Sequence, residues 1–524
     1  MKAAKAKDEK SEHPPEHSLF WADQLAQEII NRKSFRYIDK PMLPFKKFTV
    51  KTSASLSGVL HIGRLSDTIR GESVYRALKD AGKRAELIWV AEDMDPMRKV
   101  PSGVPASYEK YIGMPVTDIP DPNGCHASYA AHHVAEYFKV IDLFVSTKML
   151  KFSMRREYKK GSFKPLIKKI IDNIDEIKKI QNKYRTNPLP PDWSPWTPIC
   201  GNCGKIITPK VTGFREGIVS YVCSDYQFEK SKAAGCGHKG DADPLKDDGK
   251  MMWKSEWASQ WALWQVVSEG AGKEYQVPNS AFWLNTEICE RVLGFPAPVP
   301  IFYEHIMIDG RKMSASLGNV VYPKDWLQCA PAELLRFFYN KRLMKTRSFS
   351  WKDLPLLYAD YEKHADVYFG KLNVENEKEQ AHIKRLFEIS QFGKPKPPEA
   401  TFEQAVNALN NSQPAVGKVT KYAKTWMEKH SPESIVRLLD SPKTEGITDP
   451  MRSALRTLVY ELAEAKTEQD VSDSIWAAAK ATGNAKDFFR SAYLALIGKE
   501  QGPKLAPFIM AAGKSKVIKL LEKL

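Results

Sequence analysis

Residues 46–95 read "KKFTVKTSASLSGVLHIGRLSDTIRGESVYRALKDAGKRAELIWVAEDMD", and the fold class turns on how this stretch is parsed. "KKFTVKTSAS" has the apolar and β-branched content of a buried strand running into a loop. "GVLHIGRLSDTIRGESVYRALKDAG" predicts a helix closed by Gly82, and "RAELIWVAEDMD" a second strand ending in acids. Strand, small-residue loop, helix, strand is the opening of an α/β sheet whose ligands sit beyond the strand carboxyl ends. Ser57 and Gly58 form the turn before His61-Ile62-Gly63. Glycine lets a backbone approach, the helix start offers N–H donors, and the imidazole donates to phosphate oxygens. Alone this tripeptide is weak, because many buried histidines precede a glycine with no ligand in sight.

A second stretch, residues 305–326, reads "HIMIDGRKMSASLGNVVYPKDW". Its Lys312-Met313-Ser314-Ala315-Ser316 lies in a glycine-rich loop. The two stretches in this order make a much stronger signal than either alone.

The totals bound the answer. A chain of 524 residues with 43% hydrophobic and 11% aromatic content has room for two to four folded domains. No window approaches the roughly 18 uninterrupted apolar residues of a membrane span. "MKAAKAKDEKSEHPPEHS" is charged and lacks an apolar core, so it reads as a mobile tail of a cytoplasmic protein rather than a secretory signal. The formal charge of +16 favours a polyanionic partner, with solvated surface lysines as the bland alternative. Seven cysteines, odd and sparse, argue against a disulfide framework.

Along the chain, Ser18 is expected to cap an amphipathic helix in "SLFWADQLAQEIINRKS". In "KPLIKKIIDNIDEIKKIQNKYR" Leu166, Ile167, Ile170, Ile171, Ile174 and Ile177 make one helical stripe with lysines opposite. Proline-rich "NPLPPDWSPWTP" ends that helix and leads to cysteines. From about Pro331 the pattern is mostly helical, and "GKSKVIKLLEKL" is a final amphipathic helix. Cys200-x-x-Cys203 has knuckle spacing, and with Cys223 and Cys236 it makes a tetrahedral thiolate site, His238 being the competing fourth ligand. Asp121, Cys125, His126 and His132 form a second cluster. On residues alone that cluster reads sooner as a satisfied loop histidine beside a buried cysteine.

The motifs His61-Ile62-Gly63 and Lys312-Met313-Ser314-Ala315-Ser316 resemble the signatures of class I aminoacyl-tRNA synthetases. "EDMDPMRKVPSGVP", "IPDPNGCHASYAAH", "GKMMWKSEWASQW", "YEHIMIDGRKMSASLGN", "APAELLRFFYNKR" and "GKEQGPKLAPFI" follow in an order similar to the class I type of lysyl-tRNA synthetase, from about Phe20 onward. The resemblance implies a Rossmann-like parallel sheet with a zinc-bearing insertion, followed by an all-α anticodon-binding region. The domains so drawn are a tail (1–18), two catalytic halves (19–150 and 249–330), the insertion (151–248), a helical connective domain (331–395) and a helical anticodon-binding domain (396–524).

It also implies a two-step reaction in which lysine attacks the α-phosphorus of ATP and the lysyl group then passes to tRNA(Lys). Such chemistry needs positioning and charge neutralisation more than a protein nucleophile. Lys312, Ser314 and Ser316 are expected on the β- and γ-phosphates. Ser57, Gly58, His61, Gly63 and Arg64 hold the triphosphate from the other side, with Met313 and Ala315 lining the nucleotide. Mg2+ accompanies ATP, and Zn2+ fills the cysteine site and the Asp121–His132 cluster. No membrane contact is expected, and the chain reads as a monomer. The basic helix bearing Lys168, Lys169, Lys178 and Lys179 is a candidate acceptor-stem contact.

A lysine substrate needs a carboxylate for its ammonium and aromatic walls for its methylenes. Asp93 and Asp95 are the candidate acids, Trp253 the candidate wall, and Tyr303, Glu304, Ser53 and Ser55 further lining. Five positions depart from the family pattern. Ala315 replaces the second lysine of KMSKS, Arg64 follows the glycine where asparagine is usual, and Ser53 stands for glycine. Glu274 and Tyr275 stand where Asp-His is typical. These departures motivate the rival readings: a catalytically silent tRNA-binding paralogue, or a synthetase for another amino acid. A metabolite nucleotidyltransferase is the third, disfavoured by the helical tail and the cysteine module.

Overall fold

The computed structural model describes residues 20–55, 60–101, 103–313, 319–410 and 413–524. Ser18 lies outside them; helix α1 (Trp21–Asn31) begins after Phe20, whose side chain provides no cap. The sheet-forming stretch folds as its periodicity dictates. β1 (Phe48–Ser55) is followed by α2 (Ile62–Asp80), which stops at Ala81 before left-handed Gly82, and then by β2 (Ala85–Glu92). β2 is buried along most of its length because it lies inside a sheet covered on both faces.

Five parallel strands form the central sheet. Its order is Val299–Tyr303, Val266–Gly272, β1, β2 and β3 (Leu150–Ser153). Counted along the chain this is 5-4-1-2-3, so the direction of winding reverses between β1 and Val266–Gly272. That gap is the topological switch point of a doubly wound sheet. Contacts divide the chain into two compact units, residues 1–324, 335–349 and 370–395 forming the first and residues 325–334, 350–369 and 396–524 the second. The second unit is helical, with a core that includes Leu455, Leu458, Phe488, Ile509 and Leu521. Among the described residues, no helix is long and apolar enough to cross a membrane.

The isoleucine stripe of the insertion forms two helices, Lys164–Asp172 and Ile174–Asn182, not one. Asn173 leaves helical geometry at φ −118° and ψ 29°, and the break lets Ile167, Ile170, Ile177 and Ile180 enter the same core. Its lysines are engaged within the protein: Lys168 with Asp172, Lys179 with Glu176, and Lys169 and Lys178 on the carbonyls of Leu293 and Pro191.

A buried ion pair ties α2 to the rest of the first unit. Glu72 and Arg336 are fully buried and bonded to each other. The second Glu72 oxygen accepts from Ser146 N at 2.8 Å, Ser146 Oγ at 2.7 Å and Thr147 N at 2.9 Å. Burial alone would raise the Glu72 carboxyl, but the guanidinium and these donors outweigh it and hold it below its ordinary value. Removing one partner leaves the other charge buried and unpaired. Glu72→Ala is therefore expected to destabilise the protein by about 3–5 kcal/mol, read as a lowered urea midpoint, with Glu72→Gln intermediate.

Candidate active site

The switch point opens into a cavity of about 400 Å³. Its floor is the carboxyl ends of three strands: Ser53 and Ala54 of β1, Glu269 to Gly272 of the next strand, and Tyr303. Its rim carries His61, Gly63, Arg64 and Asp67 from α2, Trp253 and Trp257 from the helix Trp253–Trp264, and Lys312 with Met313. The two signature segments therefore face one space.

Local stereochemistry explains how each arrives. His61 is the extended residue preceding α2 (φ −120°, ψ 163°), so its side chain stands at the helix entrance. Lys312 closes a hairpin, Ile306–Ile308 paired with Arg311–Lys312, around Asp309 (φ 49°) and Gly310 (φ 74°). Two left-handed residues in a two-residue turn match the twist of the flanking strands. A Cβ on Gly63 would lie 3.0 Å from His61 Nδ1 and 3.4 Å from Met313 Cε. The two segments approach closely enough here that a larger residue would crowd them. Ile62 N also donates to Val321 O at 2.9 Å, tying the helix start to the chain just after the loop. Ser57, Gly58, Ser314, Ala315 and Ser316 lie outside the described residues. Ser55 ends β1.

His61 is half-buried beside Arg64, and burial first, then the cation, pushes its imidazole down to about 4. It is neutral at ordinary pH, a hydrogen-bonding group rather than a cation. Its Nδ1 is buried and has no hydrogen-bond partner among the described residues. The permanent positive charge on this side comes from Lys312 and Arg64.

Other residues lining the cavity are acidic and aromatic. Asp67 accepts from Ser53 N at 3.2 Å and stands 3.5 Å from the Tyr303 hydroxyl. Burial, reinforced by nearby Glu269, raises its carboxyl to about 6. A Cβ on Gly270 would fall 1.9 Å from Asp67 Oδ1, so glycine is required beneath it. Glu269 is bonded to buried Lys51 and accepts from the indoles of Trp257 at 2.9 Å and Trp261 at 2.5 Å. Trp253 is 39% exposed and stacks on Trp257 with ring centroids 4.8 Å apart. Tyr275 packs edge-on against Trp257, Glu274 meets His305 at 3.1 Å, and Glu304 pairs with Lys273 at 2.8 Å.

Asp93 and Asp95, the acids expected at this wall, do not line it. β2 ends one strand away from the reversal, and there Asp93 accepts from Ser153 Oγ at 2.5 Å and from Arg155 N at 2.9 Å. It serves the first turn of helix α3 (Met154–Lys160). Asp95 reaches Lys250 at 3.4 Å. Asp67, Glu269 and His305 take up the cavity instead. Their one sequence signal was a carboxylate a turn beyond Gly63 on a helix whose polar residues Thr68, Arg70, Glu72 and Ser73 are also buried.

The two predicted metal clusters are both gathered. Cys200, Cys203, Cys223 and Cys236 offer sulfurs within 4.8 Å of one another, with Cys200–Cys236 at 3.7 Å and Cys203–Cys223 at 3.6 Å. Zinc–thiolate bonds of about 2.3 Å would set tetrahedral edges near 3.8 Å, so the donors fit a closed site. A Cβ on Gly235 would meet the Ser224 backbone at 2.4 Å, which is why a glycine precedes Cys236. His238 is not among the four and stands against the Tyr221 ring. Asp121, Cys125, His126 and His132 also cluster within 4.8 Å, with Cys125 Sγ 3.1 Å from His126 Nδ1 and 3.2 Å from His132 Nδ1. His133 turns away to Tyr129 and Glu136.

A doubly wound sheet with a His-Ile-Gly helix start and a Lys-Met hairpin meeting at its switch point is the architecture of a class I aminoacyl-tRNA synthetase. Residues 19–393 match the family model described as "tRNA synthetases class I (K)", and the chain belongs to that family. Among its relatives, the lysine–tRNA ligase of Methanosphaera stadtmanae is 27% identical, covering 96% of this chain and 99% of its own. Those of Methanocaldococcus jannaschii and Thermococcus kodakarensis are 29% and 30% identical, again over 96% of this chain and 99% of theirs. Metal analysis is expected to show Cys203→Ser carrying one metal ion fewer per chain than the unaltered protein, with a lower melting temperature. Equal metal content in the two would contradict a four-thiolate site.

Proposed function

We propose that this chain is a lysine–tRNA ligase acting in the cytoplasm, forming lysyl-adenylate from lysine and ATP and passing the lysyl group to tRNA(Lys). The observation that carries the reading is that the His61 helix start and the Lys312 hairpin face one cavity that is also lined by a half-buried acid, Asp67.

In the first step the lysine carboxylate attacks the α-phosphorus and pyrophosphate leaves. The chain supplies placement and charge for this, not a nucleophile. Lys312 sits where it neutralises the departing β- and γ-phosphates, with Ser314 and Ser316 assigned to the same oxygens. The N–H groups at the start of α2 and neutral His61 donate from the other side. Arg64, on the same rim, offsets the missing cation at Ala315. Mg2+ bound to the phosphates supplies further neutralisation.

Asp67 receives an ammonium group of lysine, and the stacked Trp253–Trp257 pair lies along its methylenes. Tyr303, Glu304, Glu274, Tyr275 and Ser53 complete the amino-acid side. Glu274 and Tyr275 form a wall made by a longer acid held on His305. In the second step a terminal ribose hydroxyl of the tRNA attacks the lysyl carbonyl and AMP leaves.

Zn2+ in the cysteine site fixes the insertion and in the Asp121–His132 cluster a loop. The catalytic halves are residues 19–150 and 249–330. Residues 151–248 are the insertion, 331–395 the connective region and 396–524 the anticodon-binding helices.

Two outcomes test this. Pyrophosphate exchange measured with each of the twenty amino acids is expected with lysine. Lys312→Met should lower kcat by about 100-fold, the scale of losing one transition-state charge partner. A well-folded protein inactive with all twenty amino acids would favour a silent tRNA-binding role, and activity with another amino acid alone would reassign the pocket. Separately, Asp67 with its carboxyl raised to about 6 is neutral below that pH and charged above it. The KM for lysine should therefore climb about tenfold per pH unit below 6 and level off above it, and Asp67→Asn should abolish that slope.

A further inference from the structure

Arg70 is an anomaly in the first unit. It lies on α2 beneath the cavity, is 1% exposed, and none of Nε, Nη1 and Nη2 has a hydrogen-bond partner among the described residues. A guanidinium stays charged and is expensive to bury without acceptors, so an apolar side chain of similar volume would serve packing better. Two tyrosine rings lie against it, and the Asp67 carboxylate one turn earlier on α2 is near enough to interact with its charge. Its Cζ stands 4.4 Å from the centroid of Tyr303 and 5.3 Å from that of Tyr339.

Those two phenols point to different halves of the site. The Tyr303 hydroxyl is 3.5 Å from Asp67 Oδ1, on the amino-acid wall. The Tyr339 hydroxyl donates to Ile62 O at 2.9 Å, within the His-Ile-Gly segment. Ile62 N in turn is held by Val321 O, just beyond the Lys-Met-Ser loop. One buried cation thus lies against both rings, and a planar cation fixes the planes of rings it faces.

We propose that Arg70 is a positioning residue that sets Tyr303, beside Asp67, and Tyr339, beneath the His61–Gly63 segment, against α2 by holding both rings. This rests on reading the cavity as the adenylation site. The cation touches neither substrate. Its effect passes through one phenol to lysine and through the other to ATP.

The test compares Arg70→Met, Arg70→Lys, Tyr303→Phe and Tyr339→Phe in lysine-dependent pyrophosphate exchange, with melting temperatures measured alongside. Arg70→Met should raise KM for lysine and for ATP together, each about tenfold, and Arg70→Lys should recover part of both. Tyr303→Phe should raise only the lysine KM and Tyr339→Phe only the ATP KM. Adding Tyr303→Phe to Arg70→Met should change the lysine KM no further, because the ring is already released. A folded Arg70→Met whose two KM values stay within about twofold of the unaltered enzyme would overturn the proposal, whatever its melting temperature. So would strict additivity with Tyr303→Phe. If Arg70→Met does not fold, Arg70→Lys decides. Partial increases in both KM values support the coupling, and an increase in one alone or in neither refutes it. Calorimetric ATP titration without amino acid reads the Tyr339 arm independently of catalysis. A protein that binds ATP yet exchanges with no amino acid would sink the ligase reading, and this arm would still judge Arg70.

Discussion

The reversal of strand order beside β1 is the constraint on which the rest depends. β1 pairs with β2 on one side and with a strand some two hundred residues further along the chain on the other. The connections leaving these two strands diverge, so nothing in the sheet fills the space above their carboxyl ends. Everything chemical in the first unit is arranged around that opening. α2 starts there, with Ile62 N held by Val321 O, and the hairpin of Lys312 borders it. A Cβ on Gly270 would collide with Asp67, and one on Gly63 would crowd His61 and Met313.

Charge inside the opening is segregated, and this is what makes the arrangement chemically useful. Lys312, Arg64 and the helix start line one part of it, and carboxylates and indoles line much of the rest. Glu269 is already saturated by Lys51, Trp257 and Trp261, so it stiffens the wall. Among the described residues Asp67 is met only by a backbone N–H and a distant phenol, which leaves a half-buried carboxylate with unused acceptor capacity facing the cavity. A buried acid with spare lone pairs is costly alone and well suited to a cationic guest. Elsewhere the molecule spends buried charge on cohesion: the Glu72–Arg336 pair anchors α2, which carries His61, Arg64, Asp67 and Arg70 into place.

How much of this was legible depends on the range of the forces involved. The β1–α2–β2 unit, the glycine stop at Gly82 and the cysteine knuckle are decided by neighbours a few residues apart, and they could be read directly. The insertion stripe was legible as apolar but not as two helices, since the break at Asn173 is set by the core that both halves share. The acids failed in the other direction. Asp93 and Asp95 stand at a strand end, as ligand-binding acids should, but at the end of β2, where α3 takes up the Asp93 carboxylate and Lys250 meets Asp95. Asp67 sits inside a helix with no motif to mark it.

The sequence by itself determined that this chain carries an imidazole-bearing helix start, an ammonium-bearing loop and clustered thiolates, and their order identifies the synthetase class. Only the tertiary structure decided which acid the cavity receives and that a buried arginine lies between two phenols serving its two sides. Local stereochemistry forms strands and helices. Strand order is set by burial summed over the whole sheet, and strand order alone determines which ends meet.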